Sequence, residues 1–398
     1  ICRYSVFEKK YMKLTVTRND LWRGIETVLD VVPSKPALPV LSNICIRAAE
    51  DGIYLSATDL DLSITTNIPA RVDLPGSITV PARTFADIAR EWPETDLNIV
   101  VENERLHLFG NLGESKNGEG SYNLSGMSSE EFPNTPTVID GLTLSLQEDT
   151  FLNSSKILDM INKTAFAVSK DDTRPVLNGV FWHIGGDKME MVSTDGSRLA
   201  CYRTNVDSGL YQGEEARVII PPQALNKISK LLSGSKIPCQ IIFGKTQILF
   251  KTDETYLSSR LIEGPYVDYQ QVLPKSNDKE LCVESNLLYA AVKRVSILAS
   301  AYTKQVRLKI SDSNIELSTA SPEIGGEARE VIPAIYDKEK LDIGYNAQFL
   351  MEIIRKIDTP TVVFKLSDSV TAAVVRSQSN GEEGHEYFCL LMPLRPTG

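Results

Sequence analysis

The chain has 398 residues, of which 42% are hydrophobic and 24% charged, and its formal net charge at pH 7 is −10. This length exceeds one ordinary hydrophobic core and favours two or three domains. The composition is typical of a globular protein: no apolar run is long enough for a transmembrane helix, and the acidic balance argues against a protein that binds nucleic acid with its whole surface.

The first eleven residues, ICRYSVFEKKY, carry scattered charge and no apolar core. From that pattern we expect no secretory signal peptide in this segment. Met12 begins the segment MKLTV, and we expect it to be the natural start of the protein. Residues 1–11 are then an N-terminal extension that we expect to be poorly ordered.

The six cysteines lie far apart, and most stand in apolar, strand-like runs: Cys2, Cys45, Cys201, Cys239, Cys282 and Cys389. Such spacing indicates buried free thiols in a reducing cytoplasm. A zinc site needs clustered Cys or His ligands, and the sequence has no such cluster.

A strand, a capping residue and an amphipathic helix occur in that order at residues 13–32, 149–168 and 281–298. In each copy apolar residues recur at helical spacing, so they share one buried face. The first copy has a Thr or Asn as helix cap, and the third has Ser285. The predicted buried faces are Leu21, Ile25, Val28 and Val32; Ile157, Met160 or Ile161, and Phe166; and Leu288, Val292 and Val295.

A second helical pattern also occurs three times, at residues 78–92, 217–234 and 341–357. A β-branched strand leads to a proline at the helix start, except that Asn346 replaces the proline in the third copy. Gly234 is the predicted C-terminal cap of the second copy. The predicted buried faces are Phe85, Ile88 and Trp92; Leu225, Ile228 and Leu232; and Leu350, Ile353 and Ile357. Alignment of the copies places Arg90, Lys230 and Arg355 at one position beside the apolar stripe.

Strand hairpins fill the space between and after the helices of each repeat, with predicted turns at Asp51-Gly52, Gly185-Gly186 and Asp312 to Asn314. Further hairpins are predicted over residues 97–109, 240–250 and 361–375. Proline-bearing polar segments at 132–142 and 265–278 separate the repeats. We therefore predict a triplicated α+β domain, with domain I at 12–140, domain II at 141–276 and domain III at 277–398.

Residues able to support catalysis are few. The only histidines are His107 and His183, which alternate with apolar residues in strands, and His385 in a polar loop. No GxSxG elbow, phosphate-binding loop or HExxH motif occurs. The segment TDGSR at 194–198 has the residue types of an acidic-serine site, but Asp-Gly more often forms a turn, and the matching Thr58-Asp59 lacks the Gly-Ser-Arg. We predict no enzyme activity, no metal and no cofactor.

Six motifs lie in order along the chain and in register with the three repeats: KPALPVLSN at 35–43, SYNLSGMSSEEFPN at 121–134, RPVLNGV at 174–180, TDGSRLA at 194–200, DYQQVLPK at 268–275 and LLMPLRP at 390–396. Together they resemble the bacterial sliding-clamp family, the beta subunits of DNA polymerase III, and the likeness extends from Met12 to Pro396. The resemblance implies a DNA-clamp fold, in which each domain packs two helices on curved antiparallel sheets and each chain forms half of a ring.

The same resemblance implies a cationic inner surface that holds duplex DNA through phosphate contacts, without reading its sequence. Lys35 matches a DNA-contacting position of the family, and Asp171 stands where the family has glutamine. Exposed helix faces carry Lys and Arg in most proteins, so a single basic residue there says little about DNA binding. A position that is basic in all three repeats is the stronger evidence for DNA binding. The predicted DNA-facing residues are Arg18, Arg23, Lys35, Arg83, Arg90, Lys156, Lys163, Lys227, Lys230, Lys293, Arg294, Arg355 and Lys356.

Ring closure is implied between Tyr122 and Leu124 of one chain and Ile297 and Leu298 of the other. Tyr122 and Leu124 are expected on an edge strand, which is a natural template for pairing. The alternative is that both are ordinary core residues of an alternating strand.

A pocket for client peptides is implied between the second and third domains. Aliphatic and Met walls suit Leu or Phe anchors, and Arg198 and Arg395 would orient the peptide. Val267, Gln271 and Ser197 replace the family's proline, arginine and histidine, which leaves the peptide preference open. The predicted pocket residues are Leu177, Thr194, Gly196, Arg198, Leu199, Val267, Val272, Asn346, Phe349, Val370, Leu390, Met392, Pro393, Leu394 and Arg395.

The expected function is that of a processivity factor, a cytoplasmic and nucleoid-associated homodimer that encircles double-stranded DNA and tethers the replicative polymerase. Other expected partners are a clamp-loader ATPase complex and the polymerases and repair proteins that carry clamp-binding peptides; no membrane partner is expected. Two alternatives remain open: a three-domain protein-interaction scaffold that does not encircle DNA, and a hydrolase or transferase built on Asp195 and Ser197.

Overall fold

A computed structural model describes residues 11–113, 118–146, 152–213, 215–233, 239–321, 325–378 and 384–395. The chain divides into two compact units, one formed by residues 1–147 and 236–260 and the other by 148–235 and 261–398. The predicted cap Gly234 lies outside the described residues. No helix in the described ranges has the length and apolar character that crossing a bilayer requires.

Within its described residues, the first unit contains two antiparallel sheets and two α-helices. One sheet has the order β5-β1-β7-β8-β9, and the other runs β10-β16-β17-β18-β4-β3-β2-β6. The strands are β1 (Tyr11–Thr17), β2 (Asn43–Ala49), β3 (Gly52–Thr58), β4 (Leu62–Ile68), β5 (Arg71–Leu74), β6 (Gly76–Pro81), β7 (Asp96–Glu102), β8 (Arg105–Asn111), β9 (Glu119–Ser125), β10 (Leu142–Leu146), β16 (Cys239–Phe243), β17 (Gln247–Lys251) and β18 (Thr255–Arg260).

The two helices of this unit, α1 (Arg18–Leu29) and α2 (Ala82–Glu91), begin where the sequence predicts. The Thr17 hydroxyl oxygen accepts the N–H of Asp20 at 3.1 Å, which caps α1. Helix α1 ends before the predicted Val32, and Val31 is the buried residue there. On α2 the small Ala86 and Ala89 are buried, whereas the predicted Ile88 is only half-buried, because alanines allow a close approach to α1.

The second unit contains the other two antiparallel sheets and four helices. Its larger sheet has the order β15-β11-β12-β13-β26-β25-β24-β19, and the smaller runs β22-β21-β20-β23. The strands are β11 (Val180–Gly185), β12 (Lys188–Thr194), β13 (Arg198–Asn205), β14 (Tyr211–Gln212), β15 (Glu215–Ile220), β19 (Lys279–Glu284), β20 (Gln305–Ser311), β21 (Asn314–Ser321), β22 (Gly326–Pro333), β23 (Leu341–Asn346), β24 (Thr361–Leu366), β25 (Ala373–Ser377) and β26 (His385–Leu391).

Its helices are α3 (Ser154–Thr164), α4 (Pro222–Leu232), α5 (Ser285–Val295) and α6 (Ala347–Ile354). All three predicted apolar residues of α4 are buried, as are those of α5 and α6. Glu284, not Ser285, occupies the cap position of α5, because the Ser285 hydroxyl donates to the Thr359 carbonyl oxygen at 2.9 Å. Asn346 caps α6 by accepting the N–H of Gln348 at 2.9 Å, which explains how asparagine can replace proline there.

Other local predictions differ from the structure by a residue or two. The β11–β12 turn is at Gly186-Asp187, since Gly185 pairs with Lys188. His385 begins strand β26 instead of lying in a loop, and Tyr11 of the predicted extension pairs in β1. Residues 1–10 lie outside the described part.

A strand from the later part of the chain completes the sheet of the repeat before it. β18 pairs antiparallel with β4 inside the first unit, and β26 pairs with β13 inside the second. Compact units therefore do not coincide with the sequence repeats, and the domain boundaries 12–140, 141–276 and 277–398 stay predictions.

Candidate functional site

The TDGSR segment forms a tight turn between β12 and β13. One Asp195 carboxylate oxygen accepts the N–H groups of Ser197 at 2.9 Å and Arg198 at 3.0 Å, while the Thr194 hydroxyl donates to the Arg198 carbonyl oxygen at 2.6 Å. Gly196 has φ +88°, which favours glycine. The Asp195 carboxylate is thus committed to the backbone of the turn, as expected for a structural Asp-Gly turn.

The Arg198 side chain is buried between two phenylalanine rings. Its guanidinium lies 4.3 Å from the ring centroid of Phe349 and 5.2 Å from that of Phe166. Its Nε donates to Asp195 at 3.0 Å, another nitrogen pairs with Glu352, and a third donates to the Phe166 carbonyl oxygen at 2.9 Å. All three guanidinium nitrogens have partners inside the protein. Arg198 thus joins the turn to α6, and its contact with a peptide stays a prediction.

The Glu352 carboxylate, on helix α6, forms an ion pair with the Arg198 guanidinium. Burial alone would raise the pKa of Glu352, but hydrogen bonds from Arg198 and Gln348 offset that effect, and the pKa is lowered overall. The pair ties β13 to α6. Sequence reasoning missed Glu352, since it belongs to no apolar stripe or quoted motif, and it predicted Phe166 as a buried helix-face residue, whereas Phe166 is half-buried against Arg198.

The C-terminal segment is fastened to the turn and to the smaller sheet. Leu390 and Leu391 pair with Leu199 and Arg198 across the β13–β26 ladder. Beyond the strand, the Met392 N–H donates to the Ser197 carbonyl oxygen at 2.8 Å, and the Leu394 N–H donates to that of Gly344 at 2.8 Å. The terminal apolar run is thus held in one extended path across the second unit.

The segment between Tyr266 and Leu273 lies against the same strands. Tyr266 and Leu273 pack on a buried cluster that includes Leu199 and Leu390. The Tyr266 ring stacks on Phe181 with centroids 5.0 Å apart. Val267 and Val272 lie within this segment, next to its anchored ends, and remain exposed.

The predicted pocket residues separate into a buried floor and an exposed rim. Leu177, Thr194, Arg198, Leu199 and Leu390 are buried, and the half-buried ones are Asn346, Phe349, Pro393 and Leu394. The Asn346 side chain caps α6, and Phe349 lies against Arg198, so both support the floor. The exposed members are Gly196, Val267, Val272, Val370, Met392 and Arg395. The four exposed apolar side chains among them, Val267, Val272, Val370 and Met392, are the candidates for contact with an apolar anchor, and the peptide site stays a prediction.

The predicted DNA-facing residues of the first unit differ in the hydrogen bonds and ion pairs that they make within the protein. The Arg18 guanidinium donates to the carbonyl oxygens of Ala89 and Arg90 at the end of α2, so it acts as a C-terminal cap. Arg23 pairs with Asp20 at 3.3 Å, and Arg90 pairs with Asp87 at 2.8 Å. Lys35 and Arg83 are exposed.

Lys163 is the clearest exception among the predicted DNA-facing residues of the second unit. It is only 8% exposed, and its ammonium pairs with Asp159 at 3.2 Å and with Asp358. Although burial disfavours the charged form, the hydrogen bond and charge of Asp358 and the charge of Asp159 raise its pKa overall. The prediction of an exposed Lys163 is wrong, because the helix face that carries it packs against aromatic rings.

The remaining basic residues of this unit lie nearer the surface. Lys230, Lys293 and Arg355 are exposed, and Lys156, Lys227 and Lys356 are half-buried. Arg294 makes a bidentate pair with Glu330, at 2.9 and 2.7 Å. The Arg355 guanidinium lies over the Tyr289 ring, 4.8 Å from its centroid. Arg90, Lys230 and Arg355, which share one repeat position, are all exposed.

Tyr122 and Leu124 lie on an edge strand, as predicted, and Ile297 and Leu298 lie in a short turn after a helix, in contact with another edge strand. In the first unit β9 ends its sheet, and Tyr122 on it is 45% exposed, with its ring edge on Trp92 at a centroid distance of 5.6 Å. In the second unit β22 ends the smaller sheet, and Ile297, in a short 3-10 turn after α5, is 73% exposed. Tyr122 is therefore not a core residue, whereas Leu124 is half-buried.

Family models match all three repeats in order. The matches are to the DNA polymerase III beta subunit N-terminal domain over residues 12–136, its central domain over 151–268 and its C-terminal domain over 270–393. The chain belongs to the DNA polymerase III beta subunit family. The predicted sliding-clamp resemblance and the α+β clamp fold in three domains are thereby confirmed.

Relatives and solved structures of this family resemble the chain along nearly its whole length. The Beta sliding clamp of Caulobacter vibrioides is 31% identical over 389 residues, covering 96% of this chain and 100% of that protein. That of Pseudomonas aeruginosa is 30% identical over 386 residues, with the same coverage. A crystal structure of the DNA polymerase III subunit beta from Pseudomonas aeruginosa has a TM-score of 0.87 and 29% identity, covering 97% of this chain and 100% of that one.

Proposed function

We propose that the chain is a DNA sliding clamp that closes around duplex DNA as a head-to-tail homodimer and tethers a replicative polymerase to its template. The observation that carries this proposal is the match of three clamp domains, in order, over residues 12–393. A topological link holds a partner on DNA without tight contacts, because dissociation would require opening the ring. The role needs no catalytic group, in keeping with an Asp195 engaged in a turn.

Sliding requires attraction to phosphate that is diffuse and easily exchanged. Exposed lysines and arginines on helix faces provide it, since each neutralises phosphate charge without recognising a base. The exposed residues that serve this role are Arg23, Lys35, Arg83, Arg90, Lys230, Lys293, Arg294 and Arg355. The ion pairs of Arg23, Arg90 and Arg294 lie at the surface, where solvent weakens them. Arg18 and Lys163 contribute little to it, because intramolecular partners engage their charges. Acidic residues elsewhere account for the net charge of −10.

Ring closure joins β9 of one chain to β22 of the other. Both strands end their sheets and carry exposed backbone edges, so pairing them removes two edges at once. Tyr122 and Leu124 then contact Ile297 and Leu298 of the second copy, which covers the exposed Ile297 side chain. The closed ring has the domains 12–140, 141–276 and 277–398 of each chain in sequence.

Client proteins bind by a short peptide laid across the exposed rim of Val267, Val272, Val370 and Met392. Aliphatic and methionine walls adapt to Leu or Phe anchors, and the packed floor beneath them keeps the site preformed. Clients are the replicative polymerase, a clamp-loader ATPase complex that opens the ring, and other polymerases and repair proteins. The site of action is the cytoplasm, at the nucleoid.

Two measurements test this function. Light scattering should give about twice the chain mass of 44.1 kDa at micromolar concentration. Protein loaded on nicked circular DNA should remain bound in salt and leave when the circle is cut. A scaffold that binds only proteins would show no dependence on circularity, and that result would reject the clamp.

A further inference from the structure

A cavity of about 890 Å³ opens in the second unit. The residues that line it are different from those of the exposed rim of the proposed peptide site. Helix α3 and the segment after α6 form one side, the 273–277 segment forms another, and strands β24, β25 and β26 complete it. Seven lysines and arginines line this cavity: Lys156, Lys163, Arg203, Lys275, Lys356, Lys365 and Arg376.

The lining has more positive than negative charge. Among the described lining residues, three carboxylates, those of Asp159, Asp358 and Glu386, face the seven cations, and Glu190 and Glu280 pair with Arg203 and Lys365 from outside the lining, so two positive charges remain in excess. The excess stands out in a chain whose net charge is −10. In a cleft with low-dielectric walls, charge of one sign focuses the field and attracts ions of the opposite sign.

A second cavity of the same unit shows that size alone does not produce this excess. Its volume is about 900 Å³, and it lies on the smaller sheet. Arg307, Lys309 and Arg329 are matched there by three carboxylates, and Arg307 pairs with Asp342 at 2.6 Å. The two cavities are alike in volume and differ in net charge.

The cationic cavity also has a fixed wall. Lys163 is buried and held by Asp159 and Asp358, and its ammonium lies 5.6 Å from the Tyr202 ring centroid and 5.4 Å from that of Tyr387. Tyr202 donates a hydrogen bond to Asp159 at 3.0 Å, which fixes that carboxylate. Burial lowers the pKa of Lys356, so an anion bound beside it would favour its charged form. Because Asp159 and Asp358 balance the Lys163 ammonium, the cations that can bind an anion with several charges are its neighbours in the lining, among them the exposed Lys275 and the half-buried Lys356.

We propose that this cavity binds a multiply charged phosphate group. Lysine and arginine donors form charge-assisted hydrogen bonds with phosphate oxygens, and a phosphate chain combines several charges with several acceptors. The phosphate comes either from a nucleic-acid backbone or from a free compound with a di- or triphosphate chain. The nucleic-acid source rests on the proposed clamp function, because Lys156 and Lys356 are among the predicted DNA-facing residues. Binding of a free phosphate compound does not depend on the clamp function.

Calorimetric titration of the full chain with inorganic triphosphate tests the site. The Lys275→Gln/Lys356→Gln variant should bind about tenfold more weakly or worse, since it removes two of the seven cations. Lys309→Gln, which removes one cation from the charge-balanced cavity, should bind like the natural protein. Unchanged thermal unfolding shows that each variant folds, and if the double variant fails to fold, Lys275→Gln alone replaces it.

The outcomes separate this proposal from the clamp function. Absent triphosphate binding at low salt, or an equal loss in the Lys309→Gln control, overturns the phosphate site even if the protein is retained on circular DNA. Specific triphosphate binding supports the site even if that retention fails. Competition by a short duplex identifies a nucleic-acid backbone as the source, and lack of competition identifies a free phosphate compound; both support the cavity as a phosphate site.

Discussion

Leu60 and Gly196 occupy the same place in two copies of one turn, and both have a left-handed backbone, with φ of +86° and +88°. The N–H of Leu60 donates to Thr58 and that of Gly196 to Thr194, each at 3.0 Å. In both turns an aspartate accepts the next two N–H groups, and the hydroxyl of the leading threonine donates to the carbonyl oxygen four residues on. The hydrogen-bond pattern therefore repeats although only Thr-Asp is common to the two sequences.

The left-handed conformation of Leu60 leads to a stability prediction. Leu60→Gly should raise the free energy of unfolding by about 0.5–1 kcal/mol, because relief of the left-handed strain exceeds the added entropy of an unfolded glycine. Leu74→Gly is a control, since Leu74 is similarly exposed but lies in strand β5 with negative φ, and it should lower stability. Chemical denaturation measures both. Equal destabilisation by the two changes would contradict strain at Leu60.

Arg198 is predicted to be a structural support of the peptide groove. Arg198→Met should lower the free energy of unfolding by about 3 kcal/mol, since it leaves Glu352 and Asp195 without their cation in a largely buried site. Glu352→Gln should cost less, and the double variant should cost less than the two single losses added together. Denaturation of all three variants provides the cycle. Additive losses would show that the pair does not couple β13 to α6.

The exposed rim should control client binding without affecting folding. Val272→Glu places a charge on a side chain that is 58% exposed, so we expect unchanged thermal unfolding and at least about a tenfold loss of peptide affinity. Val138→Glu, at an even more exposed valine of the first unit, should bind peptide normally. Fluorescence polarisation with a labelled clamp-binding peptide compares them. Normal affinity in Val272→Glu would remove this residue from the site.

Ring closure can be tested with two isoleucines of equal exposure. Ile297 and Ile335 are each 73% exposed in the second unit, but only Ile297 is placed at the proposed interface. Ile297→Asp should convert the dimer to a monomer at micromolar concentration, because it buries an uncompensated charge there. Ile335→Asp should leave the dimer intact. Sedimentation analysis gives both masses, and an Ile297→Asp dimer as stable as the natural one would place the interface elsewhere.

Glu190 predicts a pH dependence of stability. Burial would raise its pKa, but hydrogen bonds from Tyr269 and Arg203 outweigh burial, and the pKa lies below its ordinary value. A depressed folded pKa adds stability that is present above the unfolded pKa and is lost as the pH falls through the folded value. Natural protein should therefore lose stability below about pH 4.5 more steeply than Glu190→Gln. Thermal unfolding from neutral pH to about pH 3 measures it, with the exposed Glu263→Gln as a control that should follow the natural protein. Parallel curves for all three proteins would show that Glu190 adds nothing.

The residue pattern alone determined the helices and the repeats. Apolar residues at helical spacing predicted α4 and its buried Leu225, Ile228 and Leu232, since a surface helix must bury one stripe. The ordered motifs predicted the clamp family, which the three domain matches confirm. Both kinds of information are local in the chain, and so they can be read without coordinates.

Tertiary structure decided how those local features are used. Lys163 and Arg23 are both basic residues that were predicted on exposed helix faces. Packing against aromatic rings buries Lys163, whereas Arg23 remains exposed. Arg198 was predicted to orient a peptide, but Glu352 and Phe349, more than a hundred positions later, engage its guanidinium. The charge excess of the cationic cavity likewise arises from residues between 156 and 376. Burial, ion pairing and local potential depend on which distant side chains meet, and sequence spacing does not contain that information.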